Sequence, residues 1–171
     1  KIDGKITGTG LKEVTKTNIL IENFGVKDAP LFTQILNATS LVGLVNTLRG
    51  KGIRFQTLRA DVDFTPNKIE IKDSFASGTS LGVSTEGAID RNSDQISIKG
   101  MIVPAYILNR IIDQIPVVGR ILTGGKKEGL LAAEYLISGT RDEPEVSVNP
   151  LTAFTPGFLR AFVKATRKPL E

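Results

Sequence analysis

Apolar and polar residues alternate along most of this chain with a period of two. Thr17, Ile19 and Ile21 fall on one side of the stretch Thr15–Asn23, against Lys16, Asn18, Leu20 and Glu22. Arg54–Thr65 places Leu58, Ala60, Val62 and Phe64 opposite Arg59, Asp61 and Asp63. Lys68–Phe75 sets Ile69, Ile71 and Phe75 against Lys68, Glu70 and Lys72. Further runs cover Leu81–Asp90, Gln95–Val103, Leu130–Ser138 and Glu145–Val148. A period of two marks strands with one wetted face. The joins at Thr65-Pro66-Asn67-Lys68 and Asp90-Arg91-Asn92-Ser93-Asp94 carry turn residues, which predicts antiparallel hairpins.

Helical spacing interrupts the strands in three places. Asp28 and Pro30 open a stripe of Leu31, Phe32, Ile35 and Leu36; it resumes after Ser40 with Leu41, Val42, Leu44, Val45 and Leu48 and stops at Gly50. Pro104 opens a second stripe, Ile107, Leu108, Ile111, Ile112 and Ile115, which Pro116 breaks before Val117, Val118, Ile121 and Leu122. A third begins near Pro156, with Phe158, Leu159, Phe162 and Val163 beside Arg160, Lys164, Arg167 and Lys168. The expected fold is α+β: a twisted antiparallel β-sheet, with a curved groove as one shape open to it, and amphipathic helices packed at one face or end. The apolar phase of the strands puts Ile69, Ile71, Val83, Ile89, Ile96 and Ile98 on the inward side. Val83–Gly100 and Ala133–Val148 share an order of strand, glycine, acidic turn and strand, as one hairpin used twice or as two ordinary hairpins.

Composition narrows the chemistry. The 171 residues suit one domain spanning 1–171, and 40% are hydrophobic, which argues against disorder. No apolar run reaches membrane-spanning length. The chain starts at Lys1, without Met or signal peptide, and reads as a piece of a larger protein, with Leu170-Glu171 a candidate cloning scar. It contains no Cys and no His, so thiol chemistry, the commonest general base and the commonest metal ligand are all missing. A net charge of +4 is too mild to call for nucleic acid. No cofactor is implied.

Motifs with catalytic outlines do not carry through. Gly78-Thr79-Ser80-Leu81-Gly82 has the spacing of a nucleophile elbow, but that motif needs a strand turning into a helix and a histidine to take the serine proton. Gly119 to Lys126 approaches a phosphate-binding loop with its glycine spacing off by one, and Lys127 stands where Ser or Thr would coordinate magnesium. Asp61 and Asp63 share a strand face, as glycosidase carboxylates or as a solvated surface. Asn37-Ala38-Thr39 is a glycosylation sequon by pattern, inside the first helix. The chain reads as non-enzymatic.

Three blocks resemble a known family. Ile21-Glu22-Asn23-Phe24-Gly25-Val26-Lys27-Asp28-Ala29-Pro30 is the first. The second is Val103-Pro104-Ala105-Tyr106-Ile107-Leu108-Asn109, leading to Ile115-Pro116 and Leu122-Thr123-Gly124-Gly125. The third runs from Asp142 to Leu151, with Pro156-Gly157-Phe158-Leu159-Arg160. In this order they resemble AsmA-like C-terminal regions of the YhdP type, over nearly the whole chain. The resemblance implies a bacterial envelope protein held in the inner membrane by a segment outside this chain, crossing the periplasm, and related to bridge-like lipid transfer proteins. This chain would be its far end. Phospholipid or another lipid is the implied ligand, with the inner leaflet of the outer membrane or an envelope protein as further partners.

On that reading Ile69, Ile71, Val83, Ile89, Ile96 and Ile98 would line a lipid track. Ile107, Ile111, Phe158 and Phe162, with Arg160 and Lys164, would touch the membrane, since an apolar face flanked by cations sits shallowly in a bilayer. The competing reading of both stripes is packing against the sheet. The competing function is a structural or assembly module that binds an envelope protein through a sheet edge or the helices.

Overall fold

In a computed structural model of the chain, the described residues are 2–7, 13–39, 42–105 and 132–149. They form eight strands and two short helices: β1 (Ile2–Thr7), β2 (Val14–Val26), α1 (Pro30–Ala38), α2 (Val42–Arg49), β3 (Ile53–Phe64), β4 (Lys68–Gly78), β5 (Leu81–Asp90), β6 (Ile96–Pro104), β7 (Ala133–Gly139) and β8 (Pro144–Asn149). The strands make one antiparallel sheet in sequence order, β1 to β8. The sheet is open, with β1 and β8 as its edges, and the class is α+β.

The turns follow local chemistry. The Asp90 carboxylate accepts the backbone N–H groups of Asn92 and Ser93 at 2.9 Å each, closing the β5–β6 turn. Those bonds, Ser93 first, hold the Asp90 carboxyl below its ordinary value. Thr65 closes the β3–β4 turn with its N–H 2.8 Å and its hydroxyl 3.1 Å from the Lys68 carbonyl. Neighbouring turns are also tied to each other. The Arg91 N–H donates to the Asn67 carbonyl at 2.7 Å, and the Arg141 N–H to the Asp94 carbonyl at 3.1 Å, beside an Arg141–Asp94 ion pair.

The two described helices lie where the first helical stripe places them, and the stripes that begin at Ile107 and Phe158 fall outside the described residues. Pro30 sits in the first turn of α1, with Ala29 rather than Asp28 at the cap and no side-chain cap bond. Thr39 ends α1, its hydroxyl donating 2.9 Å to the Leu36 carbonyl, so the most buried hydroxyl of the helix pair is satisfied locally. α2 ends where the Gly52 N–H reaches the Thr47 carbonyl at 2.8 Å, with Gly52 at φ 79°. Ile35, Leu36, Val45 and Leu48 are buried in one cluster with Ile53, Phe55, Ala76, Leu81, Ile102 and Tyr135. Burying side chains of this size contributes roughly 1.5–3 kcal/mol each.

That cluster reaches from Phe24 and Val26 on β2 to Val146 and Val148 on β8. A flat sheet would hold those two strands about 29 Å apart, yet the covering helices are only about 13 Å long. The sheet therefore curls toward the helix pair. Its irregularities supply the bend. Register shifts fall between Phe55 and Thr57 on β3, and at Lys72–Asp73 on β4, where β4 carries one more residue than either neighbour. Asn23 adopts a left-handed φ of 53° on β2. Each irregularity reverses the in–out phase. Beyond Asn23, Phe24 and Val26 join the face of Ile19 and Ile21. Beyond Asp73, Phe75 leaves it: it pairs with Arg59 and Ser84 on the outer face, against the expectation that it continues Ile69 and Ile71.

Gly87 shows how closely the strands approach. Its φ is 136°, and a Cβ there would run into the Ser97 carbonyl oxygen and stand 2.7 Å from the Ile98 Cα. At Gly43 on α2 an added methyl would meet nothing within 4 Å. Gly87→Ala is therefore expected to cost about 2 kcal/mol or more, whereas Gly43→Ala should stabilise by up to about 1 kcal/mol. Urea unfolding of both variants checks this, and equal shifts of the midpoint would contradict the register around Gly87.

Candidate functional site

The register sorts the side chains of β2 to β8 into two faces. The inner face divides into rows that cross the strands. Nearest the tied turns are Thr15, Phe64, Ile69, Ile89 and Ile96. The second row is Thr17, Val62, Ile71, Gly87, Ile98, Ile137 and Val146. The third holds Ile19, Ala60 and Ser74, then Thr85, Gly100, Tyr135 and Val148. The fourth is Ile21, Leu58, Ala76, Val83, Ile102 and Ala133, at the helix-covered end. Among the described residues, no charged side chain stands in any of these rows.

The outer face is charged toward the turns, whereas at its other end Phe75, Met101 and Val103 are buried. Lys72, displaced outward at the β4 bulge, lies 2.7 Å from Glu70 and 3.8 Å from Asp63, and Lys99 lies 2.9 Å from Glu86. The hydrogen bond from Lys72 holds the Glu70 carboxyl below its ordinary value. These are exposed pairs, and they add solubility more than stability.

The inner face differs along its length. Toward the helices it is closed: Leu81 and Ile102 are 0% exposed. Toward the turns, Ile69, Ile71, Ile89 and Ile96 are half-buried, and with Phe64 and Ile19 they lie beyond the core cluster. All six positions expected to point inward, Ile69, Ile71, Val83, Ile89, Ile96 and Ile98, fall on this one face. They are not equivalent. Val83 and Ile98 pack against the closed cluster, while Ile69, Ile89 and Ile96 stand side by side in the first row. Periodicity identifies the face and not this division, because depth depends on where α1 and α2 lie.

A hydroxyl node that sequence reasoning does not single out sits at the boundary. The Tyr135 ring lies across Gly100, its Cζ 2.6 Å from where a Cβ would be. The Tyr135 hydroxyl donates to the Ser84 carbonyl at 2.8 Å. Its one proton is thereby used, so Thr85 must donate to the phenol oxygen, 2.7 Å away. Burial raises the Tyr135 pKa, and the Thr85 bond offsets part of that rise. The available signal is a tyrosine in an apolar strand phase, with a glycine and a threonine in register beside it.

The remaining candidates fall as follows. Ser80 occupies a two-residue hairpin turn between β4 and β5, and its carbonyl accepts the Ala105 N–H at 2.9 Å, so the strand-to-helix geometry of a nucleophile elbow is not formed there. Asp61 and Asp63 are on the outer face, Asp63 beside Lys72. Among the described residues no acidic cluster could hold a metal ion, and no helix is long and apolar enough to cross a membrane. Ile107, Ile111, Phe158, Arg160, Phe162 and Lys164, and the loop from Gly119 to Lys126, lie outside the described residues. Compared with protein-family models, curated proteins and solved structures, the chain finds no match.

Tyr135 gives the fold an alkaline signature. Its folded pKa lies above the ordinary tyrosine value of 10.0, so its contribution to stability is fully present below pH 10.0 and is lost as pH rises through the folded value. Tyr135→Phe should lose about 1–3 kcal/mol at neutral pH, and its melting temperature should fall less steeply than that of the parent above pH 10.0. Parallel melting curves across that range would contradict a buried, neutral phenol.

Proposed function

We propose that this chain is a non-enzymatic domain that holds hydrocarbon chains on the inner face of its sheet, as the far end of a periplasm-spanning envelope protein that binds or conducts phospholipid acyl chains between the inner and outer membranes. The observation that carries this reading is the run of half-buried isoleucines, Ile69, Ile71, Ile89 and Ile96, on an inner face with no charge in its described rows. Hydrocarbon laid on such a surface gains about 0.8 kcal/mol per methylene removed from water. Holding and passing it needs no acid, base or metal. The resemblance to AsmA-like C-terminal regions supplies the lipid, the periplasm and the anchor outside this chain; the apolar face supplies the physical means. The family, the localisation and the partners all belong to this proposal.

The second reading, a module that binds an envelope protein, draws on the open edges of the sheet. β8 is paired only with β7 among the described strands, and an unpaired edge can accept a partner strand. The lipid reading is favoured because the half-buried apolar rows lie on the face and not along that edge.

Native mass spectrometry of the purified chain tests the proposal. Phospholipid should co-purify with the parent. Ile89→Asp and Ile96→Asp should lose it while keeping a cooperative melt, whereas Val83→Asp and Ile98→Asp should lower the melting temperature outright, because both touch the closed core. Phospholipid retained by folded Ile89→Asp and Ile96→Asp would remove the inner face from the account.

A further inference from the structure

Charge is placed unevenly along the strands. Residues 24–58 carry four cations, Lys27, Arg49, Lys51 and Arg54, against the single acid Asp28, a net +3. All four gather at one corner of the helix-covered end. Arg54 pairs with Gly25 and Ile53 with Val26, so Lys27 leaves β2 beside the residues that enter β3. A Cβ at Gly52 would lie 3.5 Å from the Lys27 Cβ, which sets Lys27 against the backbone next to Lys51. Arg49 stands in the last turn of α2, whose end is held by the Gly50 N–H on the Asn46 carbonyl at 3.0 Å and the Gly52 N–H on the Thr47 carbonyl at 2.8 Å. The four residues are exposed, and none forms an ion pair with a described residue. The dipole of α2 favours Arg49 at its place, but that accounts for one cation and not for four.

The hairpin-turn end has the opposite sign. Residues 65–68, 90–95 and 140–145 hold Lys68, Arg91 and Arg141 against Asp90, Asp94, Asp142, Glu143 and Glu145, a net −2. β3 runs from Ile53 at the corner to Phe64 at the turns, about 36 Å. Such a pattern turns a molecule in the field of an anionic surface. The kind of surface follows from what the corner lacks. Phe24 and Phe55 stack on each other at 5.1 Å, so neither is free to stack a nucleic-acid base. Four cations on a chain of net +4 give little hold on a duplex. A protein interface draws its strength from a desolvated apolar centre, whereas Gly25, Asp28 and Gly50 lie exposed among these cations. A layer of phosphate headgroups needs neither aromatic nor apolar centre.

We propose that this corner is a landing surface for a bilayer containing anionic phospholipid: Lys27, Arg49, Lys51 and Arg54 meet the headgroup phosphates, and the hairpin turns point away from the membrane. The contact is electrostatic and shallow, and it does not depend on hydrocarbon lying on the inner face. Each cation contributes about fivefold in partitioning, and the four together on the order of a hundredfold or more. The contribution fades as salt rises.

The test is sedimentation of the 171-residue chain with vesicles of phosphatidylcholine alone, or with about one-third phosphatidylglycerol. Binding should require phosphatidylglycerol. Lys51→Gln/Arg54→Gln should weaken it by about tenfold or more. Lys27→Gln/Arg49→Gln/Lys51→Gln/Arg54→Gln should abolish it with an unchanged melt, and Arg91→Gln at the turns should leave it as it is. Should the fourfold variant fail to melt cooperatively, the double variant decides. The chain has no cysteine, so a fluorophore on Asn46→Cys or on Asn92→Cys is unique. A quencher carried by the lipid should dim the probe at position 46 and spare the one at position 92. Undiminished binding by folded corner variants overturns the proposal, as does loss of binding from Arg160→Gln/Lys164→Gln alone. Equal quenching at both probes overturns the orientation. Absence of binding to anionic vesicles by the parent overturns the membrane as partner, and capture of soluble poly-glutamate in its place assigns the corner to an acidic protein. Phospholipid should still co-purify with the corner variants, so failure here and failure of the lipid reading are told apart.

Discussion

Toward its hairpin turns, a sheet of this width depends on neighbouring strands turning their apolar phase to the same side. One slip of register would bring Lys68 and Glu70 inward and put Ile69 and Ile71 into solvent. The constraint is met there even where alternation fails, while farther along Phe75, Met101 and Val103 are buried on the opposite face. Asn23 on β2 and the extra residue near Gln56 on β3 fall opposite one another, so both strands reverse phase together and their pairing is kept. The β4 bulge at Lys72–Asp73 sends a lysine outward to Glu70 and returns Ser74 and Ala76 to the inner face. Curvature, the placing of the helices and the apolar surface all depend on those reversals.

Much of this is legible in the sequence. The β5 strand falls where alternation places it, and the two parts of the first helical stripe are the separate helices α1 and α2. The six inward isoleucine and valine positions share a face because period two is a local property and the hairpin turns fix the register between neighbours. Phase across a bulge is not legible. Alternation groups Phe75 with Ile71 because nothing in Lys72-Asp73 announces an extra residue, and the deciding geometry lies in the two flanking strands. β1 leaves little trace because Ile2–Thr7 is short and broken by Gly4. Pro104 is the last residue of β6 and Ala105 after it is helical, so strand and helix signals meet at this proline, with the rest of the stripe outside the described residues.

The candidate site is legible as a face and not as a shape. Periodicity says which residues point inward; it does not say that two helices of nine and eight residues close one end and leave the other half-buried. The Tyr135 node is hidden for a related reason. Tyr135, Gly100 and Thr85 are far apart in the chain and meet only through the pairing of β5, β6 and β7. The glycine vacates the space that the ring fills, and the threonine satisfies the hydroxyl that the ring brings in. The result is an apolar face that changes character at one row.

The central claim is that hydrocarbon lies on the inner face and not on the outer one. Ile96 and Ser97 are adjacent in β6 and point to opposite faces, so they form a matched pair for site-specific photo-crosslinking. A benzophenone amino acid placed at each position in turn, in bacterial cells expressing the chain, reports what each side touches after irradiation and mass analysis. The account predicts phospholipid adducts from position 96 and none above background from position 97. Equal adducts from both positions, or adducts from position 97 alone, would contradict it.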